Sequence, residues 1–136
     1  MHQQRRVAVL GRRLSGLLEF WRKLNGVGLF NVTLRGSPEE LMDLLEAGER
    51  FDVLFFDGFE PGRDAKAIES IDCYRSIDLI TLVADVNSLE RRKILGWAHE
   101  RCMPSVQVLQ FPVRQEDLEL MVMRPVFSFH PQAASN

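Results

Sequence analysis

The stretch "FDVLFFDGFEPGRDA", from Phe51 to Ala65, indicates the fold more strongly than any other part of the chain. Its first half is a nearly continuous apolar run, the pattern of a strand that is covered on both faces of a parallel sheet. The run ends on a carboxylate, Asp57, and a loop with Pro61 and Gly62 follows directly. Asp57 is therefore either an acceptor for a phosphoryl group or simply the polar residue on which a buried strand ends.

Four further apolar runs predict the rest of the sheet. Two precede this strand, "RVAVL" at Arg6–Leu10 and "LFNVTLRG" ending at Gly36, and two follow it, "IDLITLVA" at Ile77–Ala84 and "SVQVLQF" ending at Phe111. A segment with helical periodicity follows each run, so that strand and helix alternate five times. This order predicts an α/β fold, a doubly wound five-stranded parallel sheet in a three-layer α/β/α sandwich.

The helices carry clear end signals. Ser37 with Glu40, and Asn87 with Glu90, have the spacing of a capping box at the start of the second and fourth helices. Asp64 is expected to cap the third helix. In the first helix, the spacing of the apolar residues predicts one buried stripe, formed by Leu14, Leu17, Leu18, Trp21 and Leu24.

Length and composition limit the possible classes of protein. A chain of 136 residues with 46% hydrophobic and 26% charged residues is typical of one globular domain. The net charge of −2 gives no global attraction to nucleic acid or anionic lipid, and no apolar run is long enough to span a bilayer. Two isolated cysteines, Cys73 and Cys102, and the absence of a signal-peptide pattern predict reduced thiols and a cytoplasmic location. We expect a domain over residues 1–124 and a tail or linker over residues 125–136.

The carboxyl edge of the predicted sheet is where a site is expected, because ligands of open parallel sheets bind outside the carboxyl ends of the strands. Acids in the loops at this edge, Glu60, Asp64 and Asp85, could form an acidic pocket, although loop acids are more often solvated or cap helices. The strand ends bring a further set of pocket residues to Asp57: Gly11, Arg12, Arg13, Val83, Ala84, Phe111 and Pro112.

The loop around Asp57 resembles the corresponding part of response regulator receiver domains. In that family an aspartate ends the third strand, and a Pro-Gly pair and a further aspartate follow it. Asp57 falls on the phospho-accepting aspartate of the family, and Phe111-Pro112 falls on its Lys-Pro pair. The resemblance covers Val7 to Met123 and implies the flavodoxin-like topology of a receiver domain.

The resemblance also implies a set of supporting groups that this sequence lacks. In the family, an acid pair after the first strand holds Mg²⁺, a Thr or Ser follows the fourth strand, and a Lys precedes the proline. Gly11 and Arg12, or Arg12 and Arg13, stand at the acid pair, Val83 at the hydroxyl and Phe111 at the lysine. We therefore expect no phosphorylation by the usual Mg²⁺-dependent route, because a hard cation needs several oxygen ligands. Arg12 or Arg13 is expected to pair with Asp57 instead.

These departures favour a degenerate, pseudo-receiver domain that signals by protein–protein interaction, with no enzymatic activity and no cofactor. One alternative is a working phosphoacceptor on Asp57, which would need Mg²⁺. Another is an unrelated doubly wound domain that binds a nucleotide or other anion through Arg12 and Arg13. The expected partner is a protein or a fused output domain, with a homodimer in addition and no direct binding of nucleic acid.

Three residues are candidates for the interface with that partner. Leu95 and Trp97 are two positions apart on the fourth helix and are not expected to face the same core, which makes Trp97 a candidate anchor. Phe111 and Leu118 are the other two, since the resemblance implies that the fourth helix, fifth strand and fifth helix form the contact surface. The apolar segment "VMRPVFSF", from Val122 to Phe129, is expected to fold back on the domain or to be shared between subunits.

Overall fold

The computed structural model of the protein describes residues 5–123, and of the last two of these only the backbone. The tail predicted at residues 125–136 lies outside the described part of the chain. Within residues 5–123, no helix is long and apolar enough to cross a membrane. The elements are β1 (Val7–Leu10), α1 (Leu14–Gly26), β2 (Val32–Arg35), α2 (Pro38–Glu46), β3 (Phe51–Asp57), α3 (Pro61–Cys73), β4 (Ile77–Ala84), α4 (Ser88–Glu100), β5 (Val106–Gln110) and α5 (Gln115–Met123).

The five strands form one parallel sheet in the order β2-β1-β3-β4-β5. The doubly wound fold predicted from the alternation of strands and helices is confirmed. The central strand is β3, and its last residue, Asp57, lies in register with Val83 of β4. On the other side of β3, Leu10 at the end of β1 lies in register with Phe56. Strand order therefore reverses beside Asp57, where a crevice opens between β1 and β3.

Two hydrophobic clusters hold the three layers together, one on each face of the sheet. On one face, α1 and α5 cover β1 and β3 through residues such as Phe20, Phe55 and Leu118. On the other face, α2, α3 and α4 pack on the same strands through residues such as Phe56 and Ile68. Successive residues of β3 from Val53 to Phe56 thus point to opposite, equally buried faces, which explains why this part of the strand is apolar.

The apolar stripe predicted for α1 is wrong in part. Leu17 and Leu24 are buried as expected, and Phe20 joins them. Leu14, Leu18 and Trp21 are exposed. One helix can cover a sheet only with a single face, and the apolar residues of α1 extend beyond that face onto its flank.

The helix starts follow the predicted chemistry in two of three cases. The Ser37 hydroxyl accepts the Glu40 N–H at the start of α2, but the box is not closed there, because the Glu40 carboxylate accepts the Gly36 N–H at 3.0 Å. Asn87 and Glu90 form both bonds of a capping box at α4. The third helix begins earlier than predicted, with Glu60 at its N-cap and Pro61 in its first turn. Asp64 lies one turn inside α3, where its carboxylate accepts the Glu60 N–H at 2.9 Å. It therefore still serves the helix start, but from within the helix.

Candidate functional site

Asp57 lies at the carboxyl edge of the sheet, half-buried between β1, β4 and the first turn of α1. The loop that follows it is held in place by the Val83 carbonyl, which accepts the N–H groups of Gly58 at 3.0 Å and Phe59 at 2.9 Å. Gly58 has a φ of +78°, a left-handed conformation that favours glycine. The turn after β3 is thereby tied to β4, and the Asp57 carboxylate faces α1.

Two glycines allow this close approach to α1. A Cβ atom at Gly16 would lie 3.2 Å from the Asp57 Oδ2 atom, and a Cβ atom at Gly11 would lie 3.5 Å from the Asp57 Cβ atom. The 3.2 Å distance at Gly16 is tight, so a side chain there would force the carboxylate to shift. The 3.5 Å distance at Gly11 is an ordinary van der Waals contact, and the tighter neighbour of a Cβ atom there is Leu17 Cδ2 at 3.2 Å. The glycine at position 11, predicted as a pocket residue, thus leaves space mainly for the Leu17 side chain.

Opposing effects set the protonation of Asp57. Burial raises the pKa of Asp57 above its ordinary value, and the positive charges of Lys23 and Arg13 lower it by less. None of the ion pairs found among residues 5–123 includes Asp57. The predicted direct pair between an arginine and Asp57 is therefore wrong for Arg12, while Arg13 acts on Asp57 only at longer range.

Arg12 pairs with a different carboxylate, that of Asp64 on α3. Its Nη2 atom donates to Asp64 Oδ1 at 2.7 Å, across a sequence separation of 52 residues. The Asp64 side chain is only 1% exposed, whereas 38% of the Arg12 side chain remains accessible. The guanidinium that stands where the resemblance implies an acid is thus held at the edge of the sheet by a buried carboxylate.

Asp64 is the most heavily bonded acid of the site. Arg63 donates to Asp64 through Nε at 3.2 Å and Nη2 at 3.3 Å, in addition to the bonds from Arg12 and the Glu60 N–H. Burial by itself would raise the pKa of Asp64, but the hydrogen bonds from Arg63, the Glu60 N–H and Arg12 outweigh burial and lower it. Asp64 is consequently ionised across the physiological pH range, and its charge is shared by two guanidinium groups.

Lys23 supplies a cation that the sequence analysis overlooked. It projects from α1 into the crevice that also contains Asp57, and its Nζ atom donates to the Val113 carbonyl at 2.6 Å. The helical spacing of Lys23 from Gly16, seven residues, could have indicated that both face the same side of α1. Lys23 therefore approaches Asp57 from α1, whereas the resemblance implies a lysine at the end of the fifth strand.

The remaining predicted pocket positions lie where the strand ends place them. Val83 and Ala84 are buried, one in each hydrophobic cluster, and offer no polar group to the crevice. Phe111 is largely exposed and is joined to Pro112 by a cis peptide bond. Arg12, Arg13, Asp57 and Phe111 line one crevice, together with further charged residues that include Lys23, Glu60, Arg63 and Asp85. Four basic and four acidic residues line this crevice.

The donor groups around the crevice do not suit a divalent cation. Within residues 5–123, no three His, Cys, Asp or Glu side chains lie close enough together to hold a metal ion. Asp64, in the first turn of α3, is already bonded by two arginines. The described donor set thus does not fit Mg²⁺, which prefers several carboxylate and water oxygens.

The three interface candidates differ in their surroundings. Leu118 is 1% exposed and packs against α1, so its prediction as an interface anchor is wrong. Trp97 is half-buried, stacks on Phe59 at 6.2 Å between ring centroids and donates its indole N–H to Glu69 at 3.2 Å. Leu95 and Trp97 were not expected to face the same core, but both pack against the same hydrophobic cluster. They lie on either side of the buried residues of α4, Ile94 and Ala98. Of the three interface candidates, Phe111 alone presents a large apolar surface to solvent.

Comparison with solved structures identifies the fold. A response regulator from Colwellia psychrerythraea superimposes with a TM-score of 0.72 at 13% identity, over 93% of this chain and 100% of that one. This chain has the fold of a response regulator receiver domain. A response regulator receiver protein from Burkholderia phymatum matches this receiver fold with a TM-score of 0.67 at 18% identity, over 91% of this chain and 95% of that one.

Proteins with other names share the receiver fold. A protein from Burkholderia pseudomallei, provisionally related to pilus assembly by its name, matches with a TM-score of 0.71 at 22% identity, over 93% of each chain. A chain from Rhodopirellula baltica named adenylate cyclase matches with a TM-score of 0.67 at 18% identity, over 88% of this chain and 85% of that one. No protein-family profile and no curated protein matches the sequence. At these identities the comparisons establish the fold of the chain and leave its activity to the chemistry of its residues.

Proposed function

We propose that this chain is a signalling domain that acts through protein–protein contact and does not take up a phosphoryl group by the Mg²⁺-dependent route. The observation that carries the proposal is the 2.7 Å ion pair between Arg12 and the buried Asp64. It occupies the part of the edge where the resemblance implies metal-binding acids. The Arg12 guanidinium, a permanent positive charge of the protein, thus lies on the side of Asp57 where a metal ion would have to bind.

The charge balance of the crevice supports this proposal. A phosphoryl group on Asp57 would add a second negative charge to a site where burial already raises the pKa of the carboxyl. Metal ions and fixed cations normally neutralise that charge. Here Arg12 and Arg63 are bonded to Asp64, and Lys23 is bonded to the Val113 carbonyl. Arg12, Arg63 and Lys23 would each have to break one of these contacts to stabilise the phosphoryl group, which leaves Arg13 among the basic residues that line the crevice.

The alternative of a working phosphoacceptor draws support from Arg13 and Lys23, whose charges act on Asp57. If their side chains turned toward a transferred phosphoryl group, they could replace the missing metal and lysine. The same cations support the weaker alternative, a domain that binds a nucleotide or another anion. The charge of the crevice argues against both alternatives. Asp57, Glu60 and Asp85 line it together with these cations, so that acids and bases nearly balance.

The partner is proposed to be a protein or a fused output domain that contacts the α4–α5 side of the molecule. Three exposed apolar side chains lie there, Leu89 on α4, Phe111 after β5 and Leu120 on α5. Scattered apolar residues are common on surfaces, but anchors of this kind concentrate at interfaces. A role without enzymatic activity, without a cofactor, without direct nucleic-acid binding and within the cytoplasm completes the proposal.

The proposal is tested by incubation of the protein with a small phosphodonor, with and without Mg²⁺, followed by intact-mass spectrometry. We expect no phosphorylated species under either condition, with a phosphorylatable receiver domain as the positive control. An adduct that requires Mg²⁺ and disappears in Asp57→Ala would contradict the proposal and favour the phosphoacceptor. An adduct that forms without Mg²⁺ and is lost in Arg13→Ala or Lys23→Ala would favour an altered, metal-free pocket. In thermal-shift titrations, stabilisation that grows with nucleotide concentration would favour the anion-binding alternative.

A further inference from the structure

Lys23 on α1 faces two parts of the molecule at once. It lies on the same side of α1 as Gly16, about two turns earlier, and a Cβ atom at Gly16 would lie 3.2 Å from the Asp57 Oδ2 atom. Because the side chains of a helix lean toward its N-terminus, the Lys23 side chain extends along α1 in the direction of Asp57. Its Nζ atom also donates to the Val113 carbonyl at 2.6 Å, across 90 residues of sequence.

The segment that contains Val113 also carries the exposed ring of Phe111. We call residues 111–114 the Phe111 loop. At its start the Phe111 N–H donates to the Ala84 carbonyl of β4 at 2.9 Å. Two residues further on, the Val113 side chain is buried, and its carbonyl accepts the bond from Lys23. Lys23 therefore holds the middle of the loop whose aromatic ring we assign to the partner surface.

Two of the four cations that line the crevice are not held by a carboxylate. Arg12 and Arg63 are bonded to Asp64, at 2.7 Å and 3.2 Å. Lys23 and Arg13 take part in none of the ion pairs found in the described part of the chain. Of these two free cations, Lys23 is the one that donates to the Phe111 loop. It can therefore respond to a change of charge in the crevice without breaking an ion pair.

The acids around the crevice differ in a similar way. Glu19 and Glu60 each lie beside an arginine, at 2.8 Å and 3.5 Å. Asp85 is exposed to water, whereas Asp57 is half-buried, so that water screens the charge of Asp57 less. Asp57 is thus the acid whose ionisation changes the field in the crevice most. The charged residues that line the crevice are Arg12, Arg13, Glu19, Lys23, Asp57, Glu60, Arg63 and Asp85.

We propose that Lys23 is a positioning residue for the Phe111 loop, and that the Val113 carbonyl and the Asp57 carboxylate compete for its ammonium group. While Asp57 is neutral, the carbonyl holds the ammonium group and the loop is fixed. When Asp57 is ionised, its full negative charge attracts the ammonium group more strongly than a neutral carbonyl does. The charge at Asp57 thereby regulates how firmly Phe111 is presented. This inference rests on the proposed role of Phe111 in the partner surface.

Thermodynamic linkage gives this competition its direction. The positive charge of Lys23 lowers the pKa of Asp57 and so offsets part of the effect of burial. An interaction that favours the ionised carboxyl must in return favour positions of the ammonium group that are closer to that carboxyl. The 2.6 Å bond to Val113 keeps the ammonium group out of an ion pair with Asp57. Ionisation of Asp57 therefore weakens the bond that holds the loop.

Nuclear magnetic resonance of the wild-type protein provides the first test, since it needs no substitution at Lys23. The ¹³C shift of the Asp57 carboxyl gives its titration midpoint, and ¹⁵N–¹H spectra follow the Phe111 and Val113 amides over the same pH range. We expect both amides to titrate with the midpoint of Asp57. In Asp57→Asn they should remain where wild type has them in acid, whereas Asp85→Asn should leave their titration in place.

Lys23→Met tests the residue itself. Because the bond to the Val113 carbonyl is lost, we expect hydrogen exchange of the Phe111 N–H to accelerate by about tenfold, and the loop amides no longer to follow Asp57. Arg13→Met is the matched control, since Arg13 also acts on Asp57. It should move the Asp57 midpoint but leave the exchange rate and the coupling unchanged. Lys23→Arg, which retains the charge and the donor, should restore the coupling.

Loop amides that are insensitive to the ionisation of Asp57 in wild type would overturn the proposal, and so would coupling that survives in Lys23→Met. Faster exchange in Lys23→Met without any dependence on Asp57 would show a structural tether and no competition. If circular dichroism shows that Lys23→Met is unfolded, wild type, Asp57→Asn and Lys23→Arg still decide between these outcomes. None of them depends on whether the protein takes up a phosphoryl group, so this test and the phosphorylation test can fail separately.

Discussion

At the scale of single residues, two aspartates at the same edge have opposite electrostatic situations. Asp64 is buried but accepts hydrogen bonds from two arginines and a backbone N–H, which lower its pKa. Asp57 is half-buried with only distant cations, and burial raises its pKa. Hydrogen bonding to the ionised form outweighs burial in the first case and is missing from the second.

Replacement of Asp64 should destabilise the protein. In Asp64→Asn, Arg12 and Arg63 lose their carboxylate, and we expect the free energy of unfolding to fall by about 2–3 kcal/mol at neutral pH. Because the folded-state pKa of Asp64 is lowered, its stabilisation is present above the ordinary aspartate pKa and is lost as pH falls through the folded value. Urea denaturation at several pH values should therefore show the difference shrinking in acid. Asp78→Asn, at an exposed position of β4, is the control and should change stability by less than about 0.5 kcal/mol.

Replacement of Asp57 should instead increase the free energy of unfolding at pH values where its carboxyl is ionised. Its raised pKa means that the folded state binds the proton more tightly than the unfolded chain does. Wild-type stability should accordingly decline as pH rises from the ordinary aspartate pKa to the folded value. Asp57→Asn, which cannot ionise, should be more stable than wild type above that range and equal to it below. Equal pH profiles of wild type and Asp57→Asn would contradict this, and Asp85→Asn at the same edge is the matched control.

At the scale of elements, local sequence was a good guide to where helices begin. The Ser37 cap of α2 and the complete box of α4 form as their spacing predicts, because a cap involves atoms only three residues apart. The direction in which an element faces was predicted less well. For α1 the spacing of leucines suggested a single stripe, but the sheet covers only one side of it, which the sequence of the helix does not specify.

The cap of α4 is a measurable part of its stability. Asn87 accepts the Glu90 N–H at 2.8 Å, and Glu90 accepts the Asn87 N–H at 2.9 Å. Asn87→Ala removes the first of these bonds, and we expect the free energy of unfolding to fall by about 1 kcal/mol in chemical denaturation. Ser88→Ala, at the exposed neighbouring position, should leave it within about 0.5 kcal/mol of wild type. A loss of the same size in both variants would show that the cap itself adds nothing.

At the scale of the whole molecule, the receiver fold is retained while the groups around Asp57 differ from those that the resemblance implies. The fold depends on two large hydrophobic clusters, one on each face of the sheet, and neither uses a charged residue of the crevice. The chemistry of the edge can therefore change without loss of the fold, since stability and site use different residues.

The alternation of apolar strands with amphipathic helices was enough to predict five parallel strands, three layers and Asp57 at the carboxyl edge. These features follow from periodicity and from the signals at helix ends, which depend only on residues close together in the sequence. The pairing of Arg12 with Asp64, 52 residues away, was not predictable in this way. Neither was the approach of Lys23 to Asp57, nor the exposure of Leu14, Leu18 and Trp21. Such contacts depend on how far the packed elements lie from one another, and that distance is set by the folded chain as a whole.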